Sequence, residues 1–200
     1  MKELDYSAGA VSKGFWFLEF KKYMEEYLKG KSHKDIRQKQ LDENFLMAPS
    51  IDYGKRMVGE IKKRISALPE EIIGLFPSLN VTDQKIINLL GIMLTDRLFF
   101  EFIYEGYREA LIIGTKEFED SQIRVFFNNK SDQSEKVAGY TLEAKRRLGR
   151  AYKTYMREAN LLKEEDGITV INKVIMDLDL EVIMKKSTLL PYFKGITGGQ

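Results

Sequence analysis

Arg146, Arg150, Lys153 and Arg157 recur at steps of four, three and four residues, the spacing that sets four cations along one face of a helix. Lys145 and Arg147 flank that stripe, so residues 145–157 hold six basic side chains. A row of guanidinium and ammonium groups does one kind of chemistry well. It displaces the counterions of a polyanion, above all of a phosphate backbone. Four neutralised phosphates would give a slope of about −4 in log affinity against log salt. A weaker pattern of the same type stands earlier, where Lys55 with Lys62 and Arg56 with Lys63 are each two helical turns apart.

Other chemistries find little to work with. Cysteine is absent, which removes disulfides, thiolate metal sites and cysteine nucleophiles. His33 is the sole histidine, on a short polar segment beside Lys34 and Asp35, and reads as an exposed capping-region residue rather than a base. There is no Ser/His/Asp set, no glycine loop that would cradle phosphate and no metal-ligand spacing. Glu164, Glu165 and Asp166 are adjacent, but acids in a turn are ordinarily just solvated. The expectation is a protein without catalytic residues, metal or cofactor, hence not an enzyme.

The basic stripe needs a helix to present it. Thr141 is a suitable N-cap, and Ala144, Leu148, Ala151, Tyr152, Tyr155 and Ala159 form an apolar stripe roughly 200° from the basic one. The cations therefore face outward. Only Glu143 and Glu158 supply acids on this helix, so the usual acid–base lacing of a solvated surface is missing, although a solvated outer face remains the competing explanation. Two shorter helices are expected ahead of it, in 115–130 and 131–140. Behind it, "NLL" and "ITVIN" read as extended pieces around a turn at Asp166 and Gly167. Three helices and a hairpin outline a winged helix whose wing tip is acidic, which a phosphate backbone would repel.

Periodicity is helical almost throughout, so the fold class is mainly α. A first helix is expected from Ser12 to about Gly30, a second capped by Ser32, and a third from Ser50 to Pro69. That order suggests an N-terminal helix-turn-helix-like unit, with Lys55, Arg56, Lys62 and Lys63 on its third helix. The apolar run beginning at Thr82 reads as a buried hub, and "KGITGGQ" at the end as a frayed tail. The expected division is an N-terminal domain over 1–80 and, over 81–200, the hub with its winged-helix-like end.

Charge distribution agrees with two basic surfaces. The net charge is +2, but residues 1–70 carry 14 basic against 11 acidic side chains and 116–163 carry 11 against 7. Asp96, Arg97, Glu101 and Glu105 interrupt the greasiest stretch, which argues against membrane insertion. No persuasive signal peptide opens the chain, and a cytoplasmic location is expected.

Four segments, "YSAGAVSKGFWFLEFKKYMEEYLKG", "IRQKQLDENFLMAPSIDYGKRMVGEIKKRISAL", "FFEFIYEGYREAL" and "TLEAKRRLGRAYKTYMREANLL", resemble in that order the BrxA proteins of bacteriophage exclusion (BREX) defence loci. The resemblance covers most of the chain through scattered motifs, none of them catalytic. It implies a small, mainly helical accessory protein, encoded beside a methyltransferase and ATPases, that binds double-stranded DNA and helps restrict phage without catalysis of its own. A protein–protein scaffold docking its basic faces onto other defence proteins is the alternative. No binding motif carries over residue by residue, so Arg146, Arg150, Lys153, Arg157, Lys145 and Arg147, with Lys55, Arg56, Lys62 and Lys63, rest on the helix argument alone.

Overall fold

The computed structural model describes residues 4–186 and 188–199. Helices joined by short connections dominate it, with one two-stranded antiparallel sheet, so the protein is mainly α. The described residues divide into two compact units, one of Phe15–Thr95 and one of those up to Gly14 with those from Asp96 onward. The division thus lies after Thr95 rather than after residue 80, and the first residues join the C-terminal unit.

The unit over Phe15–Thr95 holds α1 (Phe17–Leu28), α2 (His33–Glu43), α3 (Ile51–Ala67), α4 (Glu70–Leu75) and α5 (Val81–Thr95). Ser32 and Asp35 cap α2 reciprocally, and Ser50 Oγ accepts from the Tyr53 N–H at 3.2 Å to open α3. The expected start of α1 at Ser12 is not used. Trp16 precedes α1 with φ 52°, a left-handed backbone that its surroundings hold: its indole donates to the Tyr53 hydroxyl at 3.2 Å, and the Arg64 guanidinium lies 5.5 Å from its ring. The link from α2 to α3 runs over residues 44–50, longer than the tight turn of a helix-turn-helix. Gln40 and Asn44 clasp it through the backbone of Leu46 and Ala48.

α5 belongs with α3 because a polar knot fastens them. Arg64 donates to the Phe15 carbonyl at 2.6 Å and to Asn88 Oδ1 at 3.2 Å, and Asn88, fully buried, donates to the same carbonyl at 2.8 Å. Close approach is possible because position 91 is glycine. A Cβ there would lie 2.9 Å from that of Arg64.

In the second unit α6 (Arg97–Phe102), a π-helical stretch (Ile103–Tyr107) and α7 (Arg108–Ile113) follow one another, opened by Asp96, whose carboxylate accepts from the Phe99 N–H at 3.1 Å. Then come α8 (Asp120–Gln133), α9 (Glu135–Ala138) and α10 (Leu142–Glu158), the hairpin β1 (Leu162–Glu165) and β2 (Ile168–Ile171), and finally α11 (Leu178–Lys185) and α12 (Leu190–Thr197). Phe99, Phe102, Phe126, Phe127, Tyr152 and Tyr155 form an aromatic core with ring centroids 5.0–6.3 Å apart. The Tyr155 hydroxyl, within hydrogen-bond distance of the carbonyls of Ala10 (3.1 Å) and Lys13 (2.8 Å), ties the N-terminal segment into this unit.

Two expectations change here. Residues 115–119 are not helical: the Phe118 N–H donates to Thr169 O and the Ile171 N–H to Lys116 O, both at 2.8 Å, laying a short strand-like piece along β2. Residues 194–199 are no frayed end either, since Phe193 and Ile196 bury α12 and Gly198, at φ 74°, closes it, while Gln200 of the expected tail lies outside the described residues.

Candidate functional site

α10 builds the site. The Thr141 hydroxyl accepts from the Ala144 N–H at 3.1 Å, Glu143 lies in the first turn and Arg157 in the last, each complementing the helix dipole. Leu148, Tyr152, Tyr155, Met156 and Ala159 are buried, while Arg146, Arg147, Arg150 and Arg157 are exposed, so the two faces are phased as expected.

Acids on α10 itself and on its neighbours supply part of the lacing. Arg150 pairs with Glu143 at 3.0 Å, seven residues back along the helix. Lys153, whose side chain is only 16% exposed, is held by Asp120 of α8 at 2.9 Å. Arg157 reaches Glu164 of β1 at 2.5 Å and the Thr169 hydroxyl of β2 at 3.2 Å. Thr169 first and Arg157 after it hold the Glu164 carboxyl below its ordinary range. Arg146 and Arg147 have no carboxylate partner among the described residues, and Lys145 donates only to the Ser131 hydroxyl, at 2.8 Å. Part of the expected stripe is thus neutralised inside the unit, and its charge excess gathers at the N-terminal half of α10.

The sequence reading passed over Arg124. It is exposed on α8 and, with Lys145, Arg146 and Arg150, lines a groove of about 340 Å³ between α8 and α10. A cation at the edge of "QIRVFFNN" carries no periodic signal, so only tertiary pairing reveals it. The helices can pack this way because of Gly149, where a Cβ would meet Ile123 Cγ2 at 2.5 Å. Gly149→Ala is expected to lower stability by about 1–3 kcal/mol by wedging α8 outward. A gain in stability of roughly 1 kcal/mol, the amount by which alanine is favoured over glycine in a helix, would show instead that Ile123 yields freely.

The hairpin turns at Asp166 (φ 49°) and Gly167 (φ 79°), two left-handed residues as a type I′ turn requires. Its acidic tip is exposed, and among the described residues no group of histidines and carboxylates is disposed to hold a metal ion.

In the other unit Lys55, Arg56, Lys62 and Lys63 are exposed on α3. Lys55 is paired with Asp52 at 3.3 Å and Lys63 with Glu60 at 2.7 Å, while Arg56 lies 4.9 Å from the Tyr53 ring. Glu26, nearly buried, gathers Lys31 (2.7 Å), Lys39 (3.0 Å) and Lys29 (3.1 Å), which together pull its carboxyl down to about 2. His33 is structural: Nδ1 lies 2.8 Å from the Tyr23 hydroxyl, Nε2 3.2 Å from Ser66 Oγ, and the ring stacks on Tyr27 at 4.9 Å. Burial, with Lys62 adding to it, keeps this imidazole below its usual pKa.

The family model described as BrxA matches residues 4–188. A protein of Bacillus cereus (strain H3081.97) described as BREX protein BrxA is 30% identical over 180 residues, 90% of each chain. The crystal structure of an uncharacterized protein from Magnetospirillum magneticum is similar with a TM-score of 0.79, over 97% of this chain and 99% of that one; at 11% identity the likeness is one of fold.

Proposed function

Because the chain belongs to the BrxA family of BREX phage-defence proteins, we propose that it is a non-enzymatic accessory protein that binds double-stranded DNA, mainly through the phosphate backbone, alongside other BREX proteins. The observation that carries this reading is the concentration, on α10 and α8, of cations without a carboxylate partner among the described residues: Arg146, Arg147, Lys145 and Arg124. Arg150 joins them through a surface pair with Glu143 that a phosphate can displace, since such a pair is worth only about 0–1 kcal/mol.

The order of elements supports the same reading. Helix, short strand-like piece, three helices of which α9 is only four residues long, and a hairpin whose return strand carries that piece approach a winged-helix order with one added turn of helix, which supports reading α10 as the recognition helix. No paired Asn or Gln stands at the start of α10, so shape and backbone contacts rather than base edges are expected to dominate. The acidic hairpin tip leaves contact to the helix. Among the described residues no helix is long and apolar enough to cross a membrane.

The test is a titration of duplex DNA by fluorescence polarization across a salt series. A slope near −3 to −5 in log affinity against log salt is expected from four or five phosphate contacts, with little change between unrelated sequences. Affinity independent of salt would remove the reading.

One observation favours a second role as a scaffold. Ile175, Leu178 and Val182 recur at steps of three and four and are 93%, 77% and 45% exposed on and before α11, an apolar face without cover. Co-purification of a defence partner that survives nuclease treatment and is lost on Leu178→Glu would establish it.

A further inference from the structure

The groove between α8 and α10 has a composition that phosphate-backbone binding does not call for. Its walls carry Arg124, Lys145, Arg146 and Arg150 against a single acid, Asp120, already engaged by Lys153. Its apolar lining comes from Ile123 and Phe127, which are nearly buried and form its floor, and from Leu142, which is 63% exposed. Inorganic phosphate needs no apolar floor, and a purely apolar ligand needs no four cations. The combination suits a molecule that is flat and apolar at one end and anionic at the other.

The ends of the groove limit its occupant. Lys153 of α10 crosses to Asp120 of α8 at 2.9 Å, and Lys145 of α10 crosses to Ser131 of α8 at 2.8 Å. These bridges show the helices to be antiparallel and tie α8 to α10 on either side of Arg124, Gly149 and Arg150. Eleven residues of α8 separate Asp120 from Ser131, about 16 Å at 1.5 Å per residue. A partner helix laid along the groove would have to break both bridges, whereas a compact ligand fits between them.

We propose that this groove is a nucleotide subsite that takes one nucleoside monophosphate unit. The base lies on the apolar floor beneath the guanidinium planes, which stack on heteroaromatic rings, and the phosphate is held by Arg146 and Arg150. The unit comes either as a free nucleotide or as an unpaired nucleotide of a DNA strand, and only the second source rests on the duplex-binding reading.

Full-length protein titrated calorimetrically with adenosine 5′-monophosphate and with inorganic phosphate separates the cases, with fluorescence polarization of an intact duplex and of the same duplex bearing one bulged adenine as the second arm. Asn128→Trp fills the groove from an exposed position on α8 and leaves every cation in place; Leu142→Trp serves if the first variant does not fold. A free-nucleotide site binds the monophosphate at least tenfold more tightly than phosphate, loses this at least tenfold on Asn128→Trp, and shows no preference for the bulge. A strand-borne site prefers the bulged duplex at least fivefold in the wild type and loses that preference in Asn128→Trp, whose intact-duplex affinity stays within twofold. Equal binding of phosphate and monophosphate with no bulge preference overturns the proposal, as does saturable binding of a polyglutamate peptide with neither nucleotide signal. Loss of intact-duplex binding in the wild type would count against the duplex reading alone, because the monophosphate arm is read separately.

Discussion

Replacing Arg146 and Arg147 together by alanine is expected to weaken duplex binding about 30-fold at 0.15 M salt and to flatten the salt slope by about 2, since each phosphate contact contributes about 0.9 to that slope. The matched pair Lys153 and Arg157, equal in charge and on the same helix, is expected to matter much less. Lys153 is three-quarters or more covered and held by Asp120, and Arg157 divides its guanidinium between Glu164 and Thr169. A phosphate approaching either must compete with a carboxylate already in place. The converse experiment sharpens the distinction: Asp120→Asn with Glu164→Gln frees two cations without adding any, and should raise affinity and steepen the slope by up to about 2. Both effects must shrink above about 0.5 M salt, where exposed charges are screened within a few ångström. If Lys153 and Arg157 dominate instead, the contact face lies toward the hairpin and the charge excess at the start of α10 has no part in it.

That contrast shows what the sequence could and could not tell. The stripe on α10, its N-cap and its apolar opposite face are local properties, set by 3.6-residue periodicity and by one hydroxyl, so they were legible. The turn at Asp166 and Gly167 was legible for the same reason. The acids that quench half of the stripe were not, because Asp120 stands 33 residues from Lys153 and only the folded chain brings them to 2.9 Å. Charge counting also treats every lysine as available. Lys29, Lys31 and Lys39 swell the basic surplus of the first 70 residues, yet all three converge on one nearly buried carboxylate, Glu26.

The division between units was hidden by a similar averaging. The stretch from Thr82 to Ile113 is apolar nearly all round and reads as one body, but a single buried knot of Arg64, Asn88 and the Phe15 carbonyl assigns α5 to the first unit. Buried polar groups decide such questions because each must find its partner or forfeit about 1–3 kcal/mol. In a count of hydrophobic residues they leave no trace.

Lys130 is another buried charge of this kind, and Lys130→Ala is expected to destabilise the second unit by about 3 kcal/mol. The residue is 3% exposed on α8, with its ammonium 2.7 Å from Glu101, 2.6 Å from Glu105 and 3.1 Å from Gln133. Burial disfavours the cation, but the two glutamates outweigh it and raise the lysine's pKa. Burial likewise pushes the Glu101 carboxyl up, and the hydrogen bonds from Lys130, Arg97 and Tyr6 more than reverse that, leaving it below its ordinary value. Truncation leaves Glu105, 40% exposed, to solvent and removes one of three partners of Glu101; that solvation and the remaining bonds of Glu101 to Arg97 (2.7 Å) and Tyr6 (2.8 Å) keep the loss at the lower end of the range for a broken buried pair. Lys130→Met, which retains a stem against Phe126, should lose less. The pH dependence fixes the cause. A glutamate with a depressed native pKa stabilises above its unfolded value of about 4.3 and ceases to as pH falls through the native value; a lysine with a raised one stabilises below about 10.4 and ceases to as pH rises through its native value. The difference between wild type and Lys130→Ala should therefore be flat from about pH 5 to 10 and shrink below about pH 4. Trp16, the sole tryptophan, lies in the other unit, so denaturant unfolding must be followed by near-UV circular dichroism of the aromatic core around Tyr152. A difference that persists undiminished at pH 3 would mean that Lys130 acts through its packed stem on Phe126 and not through its charge.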